Sequence, residues 1–588
     1  MKPAGRLLPL LLLAALLVAP WLLPEFHITL LNYIGLYSLV ALGLVMLTGV
    51  GGVTSFGQAA FVGIGAYTSA YLTTVHEWSP WLTLPVGLLL TALVALTLGL
   101  VTLRLSGHFL PLGTIAWGIS LYFLFGNLEA LGGHTGISSL PPLNLGEHEL
   151  KSGGEYFYLI WLCLLLAVFA IRNLLDSRVG RAIRALKGGT LMAEAMGVHT
   201  PRAKIVVFTL AALLASVSGW LYAHLQRFVN PTPFSLTQGI EYLFMAVVGG
   251  VSHVWGALVG AGLITLLKQG LQDWLPHLLG QSGNFEMIVF GVLMIIVLQR
   301  ARDGVWPLLQ RFFPPPVVRA PVGDVAALPR RQRPSAGERL LEVKQVSKHF
   351  GGLVANDRIS FDVRAGEVMA LIGPNGAGKS TLFDGISGIE PLTSGAVSFR
   401  GENVETLPAR EIARRGLSRT FQHVRLLPAM SVLENVAIGA HLRGRHGLFA
   451  AACRRDRAEE ARLLREAAQQ IERCGLSEHL TSAAGSLPLG KQRLVEIARA
   501  LATDPCLLLL DEPAAGLRFL EKQALGDLLR RLRDEGVGIL LVEHDMDFVM
   551  GLADRVVVLE FGRKLAAGTP EEIQRHPAVL QAYLGGIE

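Results

Sequence analysis

The sequence predicts a polytopic α-helical membrane domain of about ten full or partial spans, followed by an α/β domain built on a phosphate-binding loop. Three observations carry this. Long apolar runs fill the chain up to Arg300, mixed acidic and basic residues become frequent from about Arg330, and GPNGAGKST begins at Gly373. The 588 residues are 51% hydrophobic and 17% charged, and the mean hydropathy is +0.45. That is too apolar for an ordinary soluble enzyme, and the length exceeds what one core serves. The expected organisation is a membrane domain over 1–311, a joint over 312–339 and a nucleotide-binding domain over 340–588.

Runs long enough to span lie near 7–24, 28–48, 81–103, 155–172, 203–224 and 284–300. Shorter glycine-rich runs lie near 57–75, 108–128, 239–251 and 254–271. Lys2, Arg6 and the run from Leu7 to Val18 also fit a signal peptide. The run meets Pro20-Trp21 rather than a small-residue cleavage site, so a retained first span is expected. Arg172, Arg178, Arg181, Arg184, Lys187, Arg202 and Lys204 crowd one connection, and Arg300, Arg302 and Arg311 follow the last span. Both places are expected to be cytoplasmic. The crossings between them are then even in number, which requires a break at Gly249-Gly250-Val251-Ser252-His253. A second break is expected over Gly49–Gly57. Such glycines serve either close helix packing or a path lined by freed backbone.

The net charge of +6 is accounted for by these basic loops, so no nucleic-acid partner is expected. Cys163, Cys453, Cys474 and Cys506 are scattered without metal-ligand spacing, which points to reduced thiols and no structural metal. The joint is rich in Pro, Ala and Arg and reads as an extended tether. Its Arg330, Arg331 and Arg333 have two readings, contact with anionic membrane lipid and plain solvation.

In the second domain, alternating strand patterns run directly into the glycine loop Gly373-Pro374-Asn375-Gly376-Ala377-Gly378-Lys379-Ser380-Thr381. Its backbone N–H groups and the following helix N-terminus suit phosphate oxygens; Lys379 neutralises the β- and γ-phosphates, and Ser380 suits Mg²⁺. Leu507–Leu510 is a buried-strand run that ends in two carboxylates. Asp511 can reach the Mg²⁺ shell, and Glu512 can take a proton from attacking water.

With this set in this order, residues 340–588 resemble the ATP-binding subunit of ABC transporters, which implies an ABC ATPase domain. The resemblance implies that Gln422 in RTFQ senses the γ-phosphate beside Mg²⁺, that His544 in LLVEHD contacts the γ-phosphate, and that Phe350 stacks on adenine unless it packs in the core. The family's signature element falls on Leu487-Pro488-Leu489-Gly490-Lys491. Here Pro488 replaces a serine and Lys491 a glutamine, which bears on the ATP site of the opposing subunit.

GPNGAGKST, LLPAMSVLENVAIGA, DEPAAGL and the C-terminal AYLG resemble the ATPase of branched-chain amino acid uptake systems. GGVTSFGQAAFVGIGAY, LGGHTGIS and SRVGRAIRALKGGTLMAEAMGV resemble their permease. The last segment is identified with a cytoplasmic loop that docks on the ATPase, with Arg181, Arg184, Glu194 and Gly197 as coupling candidates; the arginines also set topology. The resemblance implies an ATP hydrolase coupled to transport in the bacterial inner membrane, with a cytoplasmic ATPase domain and a small-molecule amino acid cargo. It further implies a second permease, a second ATPase and an extracytoplasmic binding protein as partners. A hetero-oligomer is favoured over a homodimer, since a homodimer sets Pro488 over both sites. The alternatives are the same architecture for urea, short amides or other amino acids, an exporter, and an ATP-gated regulatory subunit.

Overall fold

The computed structural model describes residues 14–105, 107, 109–279, 286–300, 303–312 and 325–584. The start of the first expected span and residues 313–324 of the joint lie outside these residues. The chain divides into two units, Met1–Leu174 with Pro201–Val317, and Leu175–Thr200 with Val318–Glu588.

In the first unit, six helices among the described residues are long and apolar enough to cross a membrane: Glu25–Val50, Pro80–Thr102, Phe109–Asn127, Gly153–Leu175, Thr200–Gln226 and Val254–Trp274. Two of these, Phe109–Asn127 and Val254–Trp274, fall where the sequence suggests shorter elements. Their glycines lower the apolar signal without ending the helix, because they serve close packing. A Cβ on Gly260 would run into the Met245 carbonyl, and one on Gly118 would meet the Gly57 backbone. Conversely, the expected span at 284–300 is a 15-residue helix, Glu286–Arg300.

Both expected breaks are present. Helix Leu236–Gly250 stops at Gly250, with φ +120°, and the chain restarts as helix Val254–Leu279. The other break follows a π-helical turn, Val45–Val50, and ends where helix Gln58–Val75 begins. A Cβ on Gly49 would collide with the Val251 carbonyl, so the two breaks pack on each other. That close approach is the packing role of these glycines.

The second unit contains nine strands that matter here: β1 (Arg339–Phe350), β2 (Leu353–Arg364), β3 (Val368–Ile372), β4 (Ser394–Phe399), β5 (Leu417–Arg419), β6 (Leu507–Asp511), β7 (Gly538–Val542), β8 (Arg555–Glu560) and β9 (Arg563–Gly568). β2, β1 and β4 form an antiparallel sheet. The larger sheet has the order β5-β6-β7-β3-β8-β9 and is parallel except for β9. Every residue of β3, β6 and β7 is buried, as a parallel sheet covered on both faces requires. In register, Asp511 sits beside Val542, and Val542 beside Leu371. The segments leaving β6, β7 and β3 therefore emerge side by side at the carboxyl edge, where open α/β sheets bind ligands.

Residues 325–335 lie on this unit rather than forming a free tether. Leu328 is buried in its core. The Arg331 backbone N–H donates to Asp504 at 2.5 Å, and Arg330 and Arg333 pair with Glu466 and Glu535.

Candidate functional site

The loop after β3 turns through Gly373, Gly376 and Gly378, with φ of +154°, +81° and +90°, values that favour glycine. At Gly378 there is a second constraint, because a Cβ would strike the Ala355 carbonyl and the Asn356 amide. Asn356 Nδ2 donates to the Gly378 carbonyl at 3.1 Å and pins the loop from below. Helix Lys379–Ile386 then starts without a side-chain cap, which leaves its first N–H groups for an anion. Ser380 and Thr381 occupy its first turn, while Pro374, Asn375 and Ala377 complete the loop. Lys379 Nζ folds back onto the Gly373 and Pro374 carbonyls at 2.7 and 3.0 Å. Burial pulls its ammonium below the usual lysine range, against the attraction of Glu512 and Asp511.

Asp511 ends β6 with 4% exposure, and burial pushes its carboxyl up to about 6. Its Oδ1 has no hydrogen-bond partner. A buried carboxylate oxygen without a partner beside the phosphate loop fits a hard divalent cation such as Mg²⁺, with the Ser380 hydroxyl as a further oxygen donor.

The three residues expected to handle the γ-phosphate come together. Gln422 Nε2 donates to Glu512 Oε1 at 2.9 Å, and His544 Nε2 lies 3.2 Å from the same oxygen. Glu512 takes φ +48°, a left-handed conformation uncommon outside glycine, and its backbone is held at both ends. Its N–H donates to the Val542 carbonyl at 2.8 Å, and its carbonyl accepts from Arg493 at 2.7 Å. Gln422 is thus committed to Glu512 through its nitrogen, leaving its amide oxygen as the atom available to a cation.

Three supporting residues escape the sequence reading. Glu543, 4% exposed, accepts from the Ala514 and His544 N–H groups at 2.6 and 3.0 Å and ties the loop after β6 to the loop after β7. Thr420 Oγ1 accepts from the Asp511 N–H at 3.2 Å. Tyr583, in the C-terminal AYLG, accepts a hydrogen bond from the Gly373 backbone, and burial pushes its phenol up to about 12. A carboxylate one residue before the expected histidine was the available signal for Glu543. Nothing local marks Thr420 or Tyr583.

Phe350, the last residue of β1, is 46% exposed and carries the Lys348 ammonium 4.5 Å from its ring centroid. It is not core packing. The signature residues open helix Leu489–Leu501, with Pro488 as an N-cap that makes no side-chain cap bond. Leu487 precedes it, Gly490 is buried, and Lys491 Nζ lies 2.8 Å from His479 Nε2.

The segment 175–200 belongs to this unit, and all four coupling candidates make contacts there. Arg181, 5% exposed, forms a bidentate pair with Glu460, and Arg184 pairs with Glu434 at 2.9 Å. Glu194 accepts from Thr200 at 2.7 Å and sits 3.7 Å from Arg410. Gly197 takes φ +83°, and a Cβ there would collide with Leu442. Between these polar contacts, Ala182, Met192, Met196 and Val198 form one apolar cluster with Phe421, Leu427, Met430 and Ile438. Phe421 adjoins Gln422, so the loop packs next to the residue that holds Glu512.

Comparison with known proteins agrees with this geometry. The model for the permease component of the branched-chain amino acid transport system matches residues 26–298. The ABC transporter model matches 356–515, and a branched-chain amino acid ATP-binding cassette model matches 563–588. The chain is 45% identical over 249 residues to the high-affinity branched-chain amino acid transport ATP-binding protein LivG of Salmonella typhimurium, covering 42% of this chain and 98% of that protein. It is 42% identical over 254 residues to BraF of Pseudomonas aeruginosa, with the same coverage. A crystal structure of the ADP conformation of an ATP-binding cassette of an ABC transporter is 32% identical, covers 42% of this chain and 99% of its own, and has a TM-score of 0.38. The chain belongs to the branched-chain amino acid ABC transporter family and joins its permease component and its ATP-hydrolysing cassette in one polypeptide.

Proposed function

We propose that this chain imports branched-chain amino acids across the bacterial inner membrane, as the permease and ATPase half of an ABC importer. The observation that carries the reading is the apolar contact between segment 175–200 and Phe421, one residue from Gln422. Chemistry at Glu512 and movement of the permease loop then share one side-chain cluster.

In this scheme the phosphate loop and Lys379 bind the phosphates of ATP, and Phe350 stacks on the adenine. Glu512 accepts the proton of the attacking water, while Gln422 and His544 hold its carboxylate in place and meet the γ-phosphate. Mg²⁺, held by Ser380 and Asp511 with the Gln422 oxygen beside them, would neutralise charge on the β- and γ-phosphates. The helix starting at Leu489, with Gly490 and Lys491 in its first turn, caps the nucleotide of a second ATPase subunit. A second permease and an extracytoplasmic binding protein complete the assembly. Pro488 favours a non-identical second half, in which at least one ATP site meets a signature bearing a hydroxyl.

The cargo is tested by reconstituting the chain with its partner subunits and binding protein and measuring uptake of labelled leucine against unlabelled competitors. Isoleucine and valine should compete, and urea and short amides should not. Uptake of urea without leucine would contradict the proposed cargo while leaving the architecture standing.

A further inference from the structure

The arginines of the joint stay outside this scheme, and the side chain of Lys491, whose helix the scheme does use, lies beside them. They line the same cavity. It has a volume of about 1250 Å³ and lies between the end of helix Arg457–Arg473, helix Leu489–Leu501, helix Phe519–Asp534 and residues 330–333. No residue of the phosphate loop lines it, nor do Asp511, Glu512 or His544. It is therefore separate from the ATP site built by this chain.

The lining is strongly basic. Arg330, Arg331, Arg333, Arg473, Lys491 and Arg531 contribute six cationic groups against three lining carboxylates, Glu472, Glu521 and Glu535, while Glu466 and Asp504, outside the lining, also meet the joint arginines. Glu535 is taken by Arg333 and Arg473, and Glu521 accepts from the Arg518 N–H at the start of its own helix. Among the described residues, Arg531 pairs with no carboxylate, and the Lys491 ammonium meets only His479. Lys491 also stands in the first turn of a helix whose N-terminus has no side-chain cap, and the nearby carboxylate there is Glu521, 3.6 Å from where a Cβ on Gly490 would stand. One wall is apolar: Leu494, Leu520, Ala524 and Leu528 face the same space, and Leu520 is 75% exposed.

We infer that this cavity binds a nucleotide-sized organic phosphate at a second site, its phosphates on Lys491 and Arg531 and its ring system on the leucine wall. The volume suits a ligand of that size, and cationic groups beside an apolar wall are what such a ligand needs. Because Lys491 belongs to the signature helix, the ligand acts directly on the element that caps nucleotide in the opposing subunit. The joint completes the wall.

The test uses the full-length chain carrying Lys379→Ala, which weakens the ATP site, and 8-azidoguanosine diphosphate as a photoreactive probe. The label should map to the peptide over 519–531, and either Arg531→Glu or Leu520→Glu should lower it at least tenfold. Both positions are exposed, so neither change opens the core. Labelling confined to the phosphate loop, or labelling at 519–531 that neither substitution reduces, would overturn the inference.

Discussion

The Gln422 amide nitrogen donates to Glu512 Oε1 at 2.9 Å, on the oxygen that His544 approaches at 3.2 Å. The carboxylate is thus oriented by two residues from two different loops. Glu512→Gln should lower ATP turnover by about 10²-fold or more, the range of a lost general base, while leaving ATP binding within a few-fold. Gln422→Ala removes one of the two orienting contacts and should lower turnover less. Single-turnover hydrolysis and equilibrium nucleotide binding, measured on the same preparations, check both.

Two of the ion pairs that hold the coupling segment differ in burial, and that separates their worth. The Arg181–Glu460 pair is 5% and 7% exposed, whereas Arg184–Glu434 is 30% and 32% exposed. Arg181→Ala removes the guanidinium from buried Glu460, which keeps the Arg178 N–H at 3.1 Å, at a cost of about 3–5 kcal/mol. Arg184→Ala should cost about 1 kcal/mol or less. Protease sensitivity and hydrogen exchange over 178–198 should rise sharply in the first variant and slightly in the second.

Gly197 combines φ +83° with a neighbour, Leu442, that leaves no room for a Cβ. Gly197→Ala should therefore loosen docking of the segment by about 1–3 kcal/mol. The readout is ATP turnover that continues while transport per ATP falls.

The signature helix begins at Leu489 behind a proline that offers no cap. Pro488→Ser should stabilise that helix start by about 0.5–2 kcal/mol, the usual worth of a serine N-cap over an uncapped end. It should also raise ATP turnover at the opposing site. Unchanged turnover alongside a raised melting temperature would separate the structural effect from the catalytic one.

Burial, with Arg178 and Arg181 nearby, pulls the His441 imidazole down to about 3, and its carbonyl accepts from Arg178 at 2.9 Å. The docked state therefore keeps this ring neutral while the unfolded chain protonates it near pH 6.5. The resulting stability is fully present above pH 6.5 and is lost as pH falls towards 3, by at most about 1.4 kcal/mol per pH unit. Denaturant midpoints between pH 7.5 and 4.5 should fall, and His441→Gln should flatten the dependence.

Much of the nucleotide site was legible because its residues sit at fixed offsets from buried strands. GPNGAGKST follows β3, Asp511-Glu512 ends β6, and His544 follows β7, and the parallel register alone brings these ends together. Glu543 was not legible, since its role is to satisfy two backbone N–H groups that become neighbours only after folding. The glycine-rich spans misled for a related reason. Hydropathy reads glycine as a weak point, whereas Gly260 permits backbone approach inside a continuous helix. The joint read as a tether because its arginines carry no periodicity, and only the fold supplies Glu466, Asp504 and Glu535 to meet them.

The central claim is that ATP hydrolysed at Glu512 drives amino acid uptake through this chain. It is tested most directly by loading proteoliposomes of the assembled transporter with ATP and measuring labelled leucine accumulation in the native and Glu512→Gln forms. The account predicts accumulation against a gradient in the native form and none in the variant. Equal accumulation in both would contradict it.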